Sequence, residues 1–146
     1  RRNVASFVTD YVSGEIVAIS YREGKEVSRD VLRTPSAAAK IVCKAERTEI
    51  PADGLSLAYV QVSITDAGGN VVPCEVCCTA EAKGGARLIA FGSAASVTEE
   101  NYTCGTFTSF RGRLLAVLRA GKTAGKATLT VAAEGLSAAS VEITLR

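Results

Sequence analysis

Short stretches with apolar residues at every second position, separated by glycine-bearing turns, run the length of the chain. No stretch keeps apolar residues at i, i+3, i+4 and i+7 between helix caps, so the pattern predicts an all-β protein. The first hairpin pairs Glu15–Tyr21 with Glu26–Leu32 through Arg22-Glu23-Gly24-Lys25, whose glycine takes a positive φ at little cost. Thr34-Pro35-Ser36-Ala37-Ala38-Ala39 lacks alternation and reads as a linker, which divides the chain into residues 1–36 and 37–146.

A second series begins with Lys40–Arg47, turns at Ile50-Pro51-Ala52-Asp53-Gly54 and continues as a long strand, Leu55–Thr65. In that strand Ala58, Val60, Val62 and Ile64 share one face, while Tyr59, Gln61, Ser63 and Thr65 share the other. Asp66-Ala67-Gly68-Gly69-Asn70 is a turn, and Pro73 suits a strand edge. Val76–Ala82 and Arg87–Phe91 flank Lys83-Gly84-Gly85-Ala86 as a further hairpin, and Arg113–Arg119, Lys126–Ala133 and Ser140–Leu145 close the series. About seven strands in about 100 residues are the spacing of a two-sheet sandwich. The unpatterned stretch Gly92 to Thr103 is the place to look for grafted function.

The 146 residues hold no tryptophan to pack between the sheets, so aliphatic side chains must supply the core. Seventeen basic residues against fifteen acidic ones leave a net charge of +2, too weak a field to point to nucleic acid or a membrane surface. No run of about 18 apolar residues is present for a membrane span, and the start, Arg1 to Phe7, lacks the apolar core of a secretion signal. Five cysteines leave at least one thiol unpaired, which leans toward a reducing compartment, a cytoplasm over periplasm or secretion.

Histidine is absent, which removes the commonest general base and the commonest zinc ligand together. Glycosidic cleavage needs only two carboxylates, but Asp53, Asp66 and Glu134 fall in turns, Glu75 and Glu81 on solvent faces, and Glu99-Glu100 in a polar loop. No catalytic residue is expected among them. Cys74-Glu75-Val76-Cys77-Cys78 contains a Cys-x-x-Cys that Cys43 or Cys104 would have to complete as a zinc site. In an extended strand Cys77 faces away from Cys74 and Cys78, so the run reads as small apolar core residues, and no metal is expected.

Gly68-Gly69 and Gly84-Gly85 are turn glycines rather than phosphate cradles, so no cofactor is expected. Alternation is expected to scatter Arg111, Arg113, Arg119, Lys122 and Lys126 over different faces. Sandwich modules hold carbohydrate on aromatic platforms; Phe91, Phe107 and Phe110 read as core, leaving Tyr59 and Tyr102 as the candidate sugar contacts. Asn101-Tyr102-Thr103 also matches a glycosylation sequon.

The stretch Ile50 to Pro73, with its Ala52-Asp53-Gly54 turn and Asp66-Ala67-Gly68-Gly69-Asn70-Val71-Val72-Pro73, resembles the C-terminal region of bacterial family 2 glycoside hydrolases, the β-galactosidase group. In that family an "ADG" turn, a strand and a "D-x-x-G-x-x-V-P" turn open an immunoglobulin-like domain. Phe110-Arg111-Gly112-Arg113-Leu114-Leu115-Ala116-Val117-Leu118-Arg119 is similar to the family's "F-x-G-x-x-L-x-V-x-R", and Gly125 to Leu136 to its "G-x-x-x-L-x-A-x-x-x-G-L" ending. Gly14 to Tyr21 with Gly24-Lys25-Glu26-Val27 looks like the closing strands of the preceding β-domain. One departure is Phe91-Gly92-Ser93-Ala94-Ala95-Ser96, where relatives carry an "N-G-D-P"-like turn.

The resemblance implies an immunoglobulin-like β-sandwich of about seven strands in residues 37–146, preceded in residues 1–36 by a few strands of a truncated neighbouring β-domain. It implies that the parent's two catalytic glutamates lie upstream in a (β/α)₈ barrel, so none carries over to this chain. The expected partners are the other domains of the parent enzyme, further subunits of its oligomer, and carbohydrate held near the barrel. A free-standing carbohydrate-binding module and a repeat of a bacterial surface adhesin are the alternatives.

Overall fold

The computed structural model describes residues 4–146 and divides the chain into two compact units, Arg1–Thr34 and Pro35–Arg146. In the first, β1 (Glu15–Arg22) and β2 (Lys25–Arg33) form an antiparallel hairpin. Its two turn residues, Glu23 and Gly24, take φ of 51° and 75°, the paired left-handed conformation that matches the twist of a hairpin. Ion pairs Arg29–Glu26 at 2.9 Å and Arg33–Glu15 at 2.6 Å lie along it. Ile16, Val27 and Leu32 stay exposed, because two strands have no second layer to bury a face against.

The second unit is a sandwich. Its strands are β3 (Lys40–Ala45), β4 (Glu49–Ile50), β5 (Leu57–Thr65), β6 (Cys77–Gly84), β7 (Ala86–Gly92), β8 (Thr106–Thr108), β9 (Arg113–Ala120), β10 (Gly125–Ala132) and β11 (Ala139–Leu145). One sheet runs β3-β5-β9-β7 and the other β4-β11-β10-β6-β8, so β6 and β7, expected to pair as a hairpin, instead cross from one sheet to the other: β6 pairs with β10 and β8, and β7 with β9. Neighbours pair antiparallel except β4 with β11. The two strands beyond the expected seven are β4 and β8, which hold two and three residues and are too short for alternation to register.

Alternation sorts the side chains as predicted except at the end of β5, where Thr65, expected on the outer face, is buried. Val60, Val62, Ile64, Ala116 and Leu118 of the four-stranded sheet meet Cys78, Phe107, Leu129, Val131 and Ile143 of the other, all almost fully buried. Each large aliphatic side chain so buried stabilises the fold by roughly 1.5–3 kcal/mol.

Phe110 departs from its expected place in the core. It is half-buried, with the Arg111 guanidinium 5.4 Å from its ring centre, because a tight turn intervenes before β9. Phe110 bridges to Arg113 across Arg111 and Gly112, whose φ are 50° and 71°. A side chain at Gly112 would also collide with the Val72 carbonyl oxygen, so glycine is required there on two counts.

At the far end of β5, Asp66 organises the turn to Asn70. Its carboxylate accepts the Asn70 backbone N–H at 2.8 Å, the Asn70 side-chain amide at 3.0 Å and the Ser36 N–H at 3.0 Å. These donors, Asn70 first, hold its carboxyl well below the usual carboxylate range although the residue is buried.

Candidate functional site

A groove of about 460 Å³ opens on the outer face of the four-stranded sheet. Gln61 and Ser63 of β5, Arg113, Leu115 and Val117 of β9, and Ala90 of β7 floor it, while Gly92, Ser93, Ala94 and Tyr102 wall it. The floor follows from period two and register. Odd-numbered residues of β5 and β9 point outward, and Ser63 pairs with Arg113 and Gln61 with Leu115, which brings polar and apolar groups side by side. The volume lies in the range of small-molecule sites, and no carboxylate lines it.

The wall is formed by the stretch Gly92 to Thr103, where grafted function was expected. Tyr102 stacks on Phe107 with ring centres 4.7 Å apart and planes at 29°, and Phe107 is fully buried. The Phe91 N–H donates to the Tyr102 carbonyl at 2.7 Å. A Cβ on Gly92 would run into the Tyr102 ring, so the bare backbone there lets the ring lie against the sheet. The outcome is an aromatic ring fixed from behind and still 44 % exposed. The Ser93 hydroxyl oxygen is buried without a hydrogen-bond partner among the described residues.

Tyr59 lies outside the groove. It sits on the outward face of β5, opposite Val117 and 40 % exposed, so the two tyrosines share a face of the sheet but only Tyr102 reaches the cavity. Asn101 uses its side-chain oxygen to accept from Thr103 N–H at 2.9 Å and hydroxyl at 2.8 Å, which shapes the turn carrying Tyr102.

Asp53 and Glu100, like Asp66, serve the fold. Asp53 caps its turn by accepting the Ser56 N–H at 2.6 Å and the Leu55 N–H at 2.8 Å, which lowers its carboxyl below the usual range. Glu100 accepts both the N–H and the hydroxyl of Thr108 at 2.9 Å, tying the loop to β8. The thiols are spread by the pleat: Cys78 is buried, Cys43 and Cys74 half-buried, and Cys77 and Cys104 exposed. Burial pushes the Cys43 thiol up to about 11 and, with neighbouring thiols adding to it, Cys78 to about 11. No group of three or more His, Cys, Asp or Glu among the described residues is arranged to hold a metal ion.

The basic residues are less scattered than alternation suggested. Arg113 and Arg119 lie an even number of positions apart on β9 and so share the outer face, where Arg87 of β7 stands directly opposite Arg119. Lys126 belongs to the other sheet, on β10. Arg113, Gln61 and Ser63 are groove residues that sequence reasoning missed; their outward parity was legible, but their neighbours depend on register.

Residues 41–142 match the family described as glycoside hydrolase family 2 C-terminal domain 5. The chain is 28 % identical over 131 residues to Beta-galactosidase BoGH2A of Bacteroides ovatus, covering 89 % of this chain and 15 % of that protein. A Beta-galactosidase of Thermoanaerobacter pseudethanolicus is 36 % identical over 61 residues, 42 % of this chain and 8 % of its own length. Among solved structures, a glycosyl hydrolase family 2 member from Bacteroides cellulosilyticus superposes with a TM-score of 0.85 at 32 % identity, covering 92 % of this chain and 19 % of that one. The chain thus spans less than a fifth of each of these relatives.

Proposed function

The chain belongs to the glycoside hydrolase family 2 C-terminal domain 5 family, and on that premise we propose that it is a non-catalytic accessory domain of a β-galactosidase-type enzyme. Its role in this reading is structural, positioning or shielding the parts of the parent that carry the chemistry, and its partners are the parent's other domains. Residues 37–146 are the accessory sandwich, and residues 1–36 close a preceding β-domain.

The observation that carries the proposal is a groove without a carboxylate. Glycosidic cleavage places two carboxyl groups across the scissile bond, whereas the groove has none, and Asp53, Asp66 and Glu100 are engaged by backbone donors elsewhere. The purified chain is expected to leave a nitrophenyl galactoside intact. Turnover that disappears when one of its own carboxylates is replaced overturns the reading.

A second reading is favoured by Tyr102. A fixed, half-exposed ring beside a cavity with Gln61 and Ser63 on its floor suits the apolar face and hydroxyls of a sugar, with Tyr59 further along the same sheet. In this reading the accessory domain also holds carbohydrate.

A further inference from the structure

We propose that the groove and the sheet face around it bind an anionic saccharide, one carrying uronic acid carboxylates, with Arg113 as the anchor for the charge and Tyr102 as the platform for the ring. The proposal rests on the carbohydrate reading and adds the chemical class of the sugar.

Charge selects that class. The outward positions of β3, β5, β7 and β9 carry Lys40, Lys44, Arg87, Arg113 and Arg119 and no aspartate or glutamate. The nearest acidic residues along these strands are Glu46, just past the end of β3, and Asp66, just past the end of β5, whose carboxylate is taken up by Asn70 and Ser36. Arg87 directly faces Arg119 across the ladder, an arrangement that is unfavourable by itself. None of the five is ion-paired among the described residues. On the other sheet, by contrast, Lys83 pairs with Glu81 and Lys126 with Glu142.

Position then divides the labour. Arg113 lines the groove itself, where its planar fork can take a carboxylate through two parallel hydrogen bonds. Gln61 and Ser63 lie on the floor of the same cavity and suit ring hydroxyls. Beyond the groove, Arg87 and Arg119 line a second depression of about 390 Å³ with Lys122, a continuation of the cationic track for further uronate units.

The test is calorimetric titration of the intact chain with galacturonate oligomers and, in parallel, with neutral galactose oligomers of the same length. The acidic oligomers are expected to bind at least about tenfold more tightly, the scale of one charge-assisted contact. Arg113→Gln and Tyr102→Ala should each weaken them about tenfold, and Lys83→Gln on the opposite face should change nothing. Circular dichroism confirms that the variants fold.

Neutral oligomers binding as well as acidic ones overturn the charge assignment and leave the carbohydrate reading standing; binding of neither overturns both. Equal binding of inorganic polyphosphate, indifferent to Tyr102→Ala, also overturns the proposal, because it marks a general cationic surface. So does loss of Lys44 acetylation in the intact parent enzyme with Lys83 still reactive, because the face is then covered by protein.

Discussion

On the outer face of the five-stranded sheet Lys126 meets Glu142 at 2.7 Å and Thr130 hydrogen-bonds Ser140 at 2.9 Å, so its polar groups answer one another across the strands. On the outer face of the four-stranded sheet Arg87 faces Arg119, and Val42, Tyr59 and Leu115 are each about 40 % exposed among cations without acidic partners. The two faces belong to one sandwich and share one core, so fold stability does not account for the difference. Exposed ion pairs contribute only about 0–1 kcal/mol in any case. What separates the faces is what each leaves unsatisfied: one has completed its contacts within the chain, and the other still offers charge and apolar surface.

The largest effect should come from Phe107, which the two faces share through the core and which also backs the Tyr102 ring. Phe107→Ala is expected to cost about 3–5 kcal/mol in denaturant unfolding and to free the Tyr102 ring, read as a change in tyrosine fluorescence anisotropy. If Tyr102 stays fixed in that variant, the groove wall does not depend on the core as described.

Next is Asp66, which pins the rim of the four-stranded sheet. Because its folded carboxyl is held below the usual range, its contribution is present above the unfolded value of about 3.9 and is lost as pH falls toward the folded value. The wild type should therefore lose melting temperature below about pH 4. Asp66→Asn should be less stable at pH 7 and show a flatter acid limb. Identical acid limbs would remove Asp66 as the group responsible.

The smallest effect tests the faces directly. Arg87→Glu should stabilise the chain by about 0.2–1 kcal/mol by turning a like-charge pair into an attractive one. Lys126→Glu on the other face should destabilise it by a similar amount, about 0.2–1 kcal/mol, because Glu142 loses its partner. Both changes should shrink with added salt. A destabilising Arg87→Glu would mean that this face satisfies its cations in a way the structure does not display.

Much of the fold was legible along the chain because the pleat is a local property. Ala58, Val60, Val62 and Ile64 turned inward and Tyr59, Gln61 and Ser63 outward as alternation required. The turn at Glu23-Gly24 was legible from its glycine. The turn at Arg111-Gly112 was not, since Phe110 read as a core residue. β8 was missed because three residues carry too little pattern, yet its Phe107 is what holds Tyr102.

The order of hydrophobic and polar residues by itself determined the all-β class, the hairpin, the inward and outward side of each long strand, and the absence of histidine chemistry. The tertiary structure alone decided that Ser63 stands beside Arg113, that Arg87 faces Arg119, and that Tyr102 settles against Gly92 at the edge of the groove. The physical reason is that a strand's face depends on neighbours one residue away. Its partners and register depend instead on how distant strands share one core, and parity along a single strand says nothing of that.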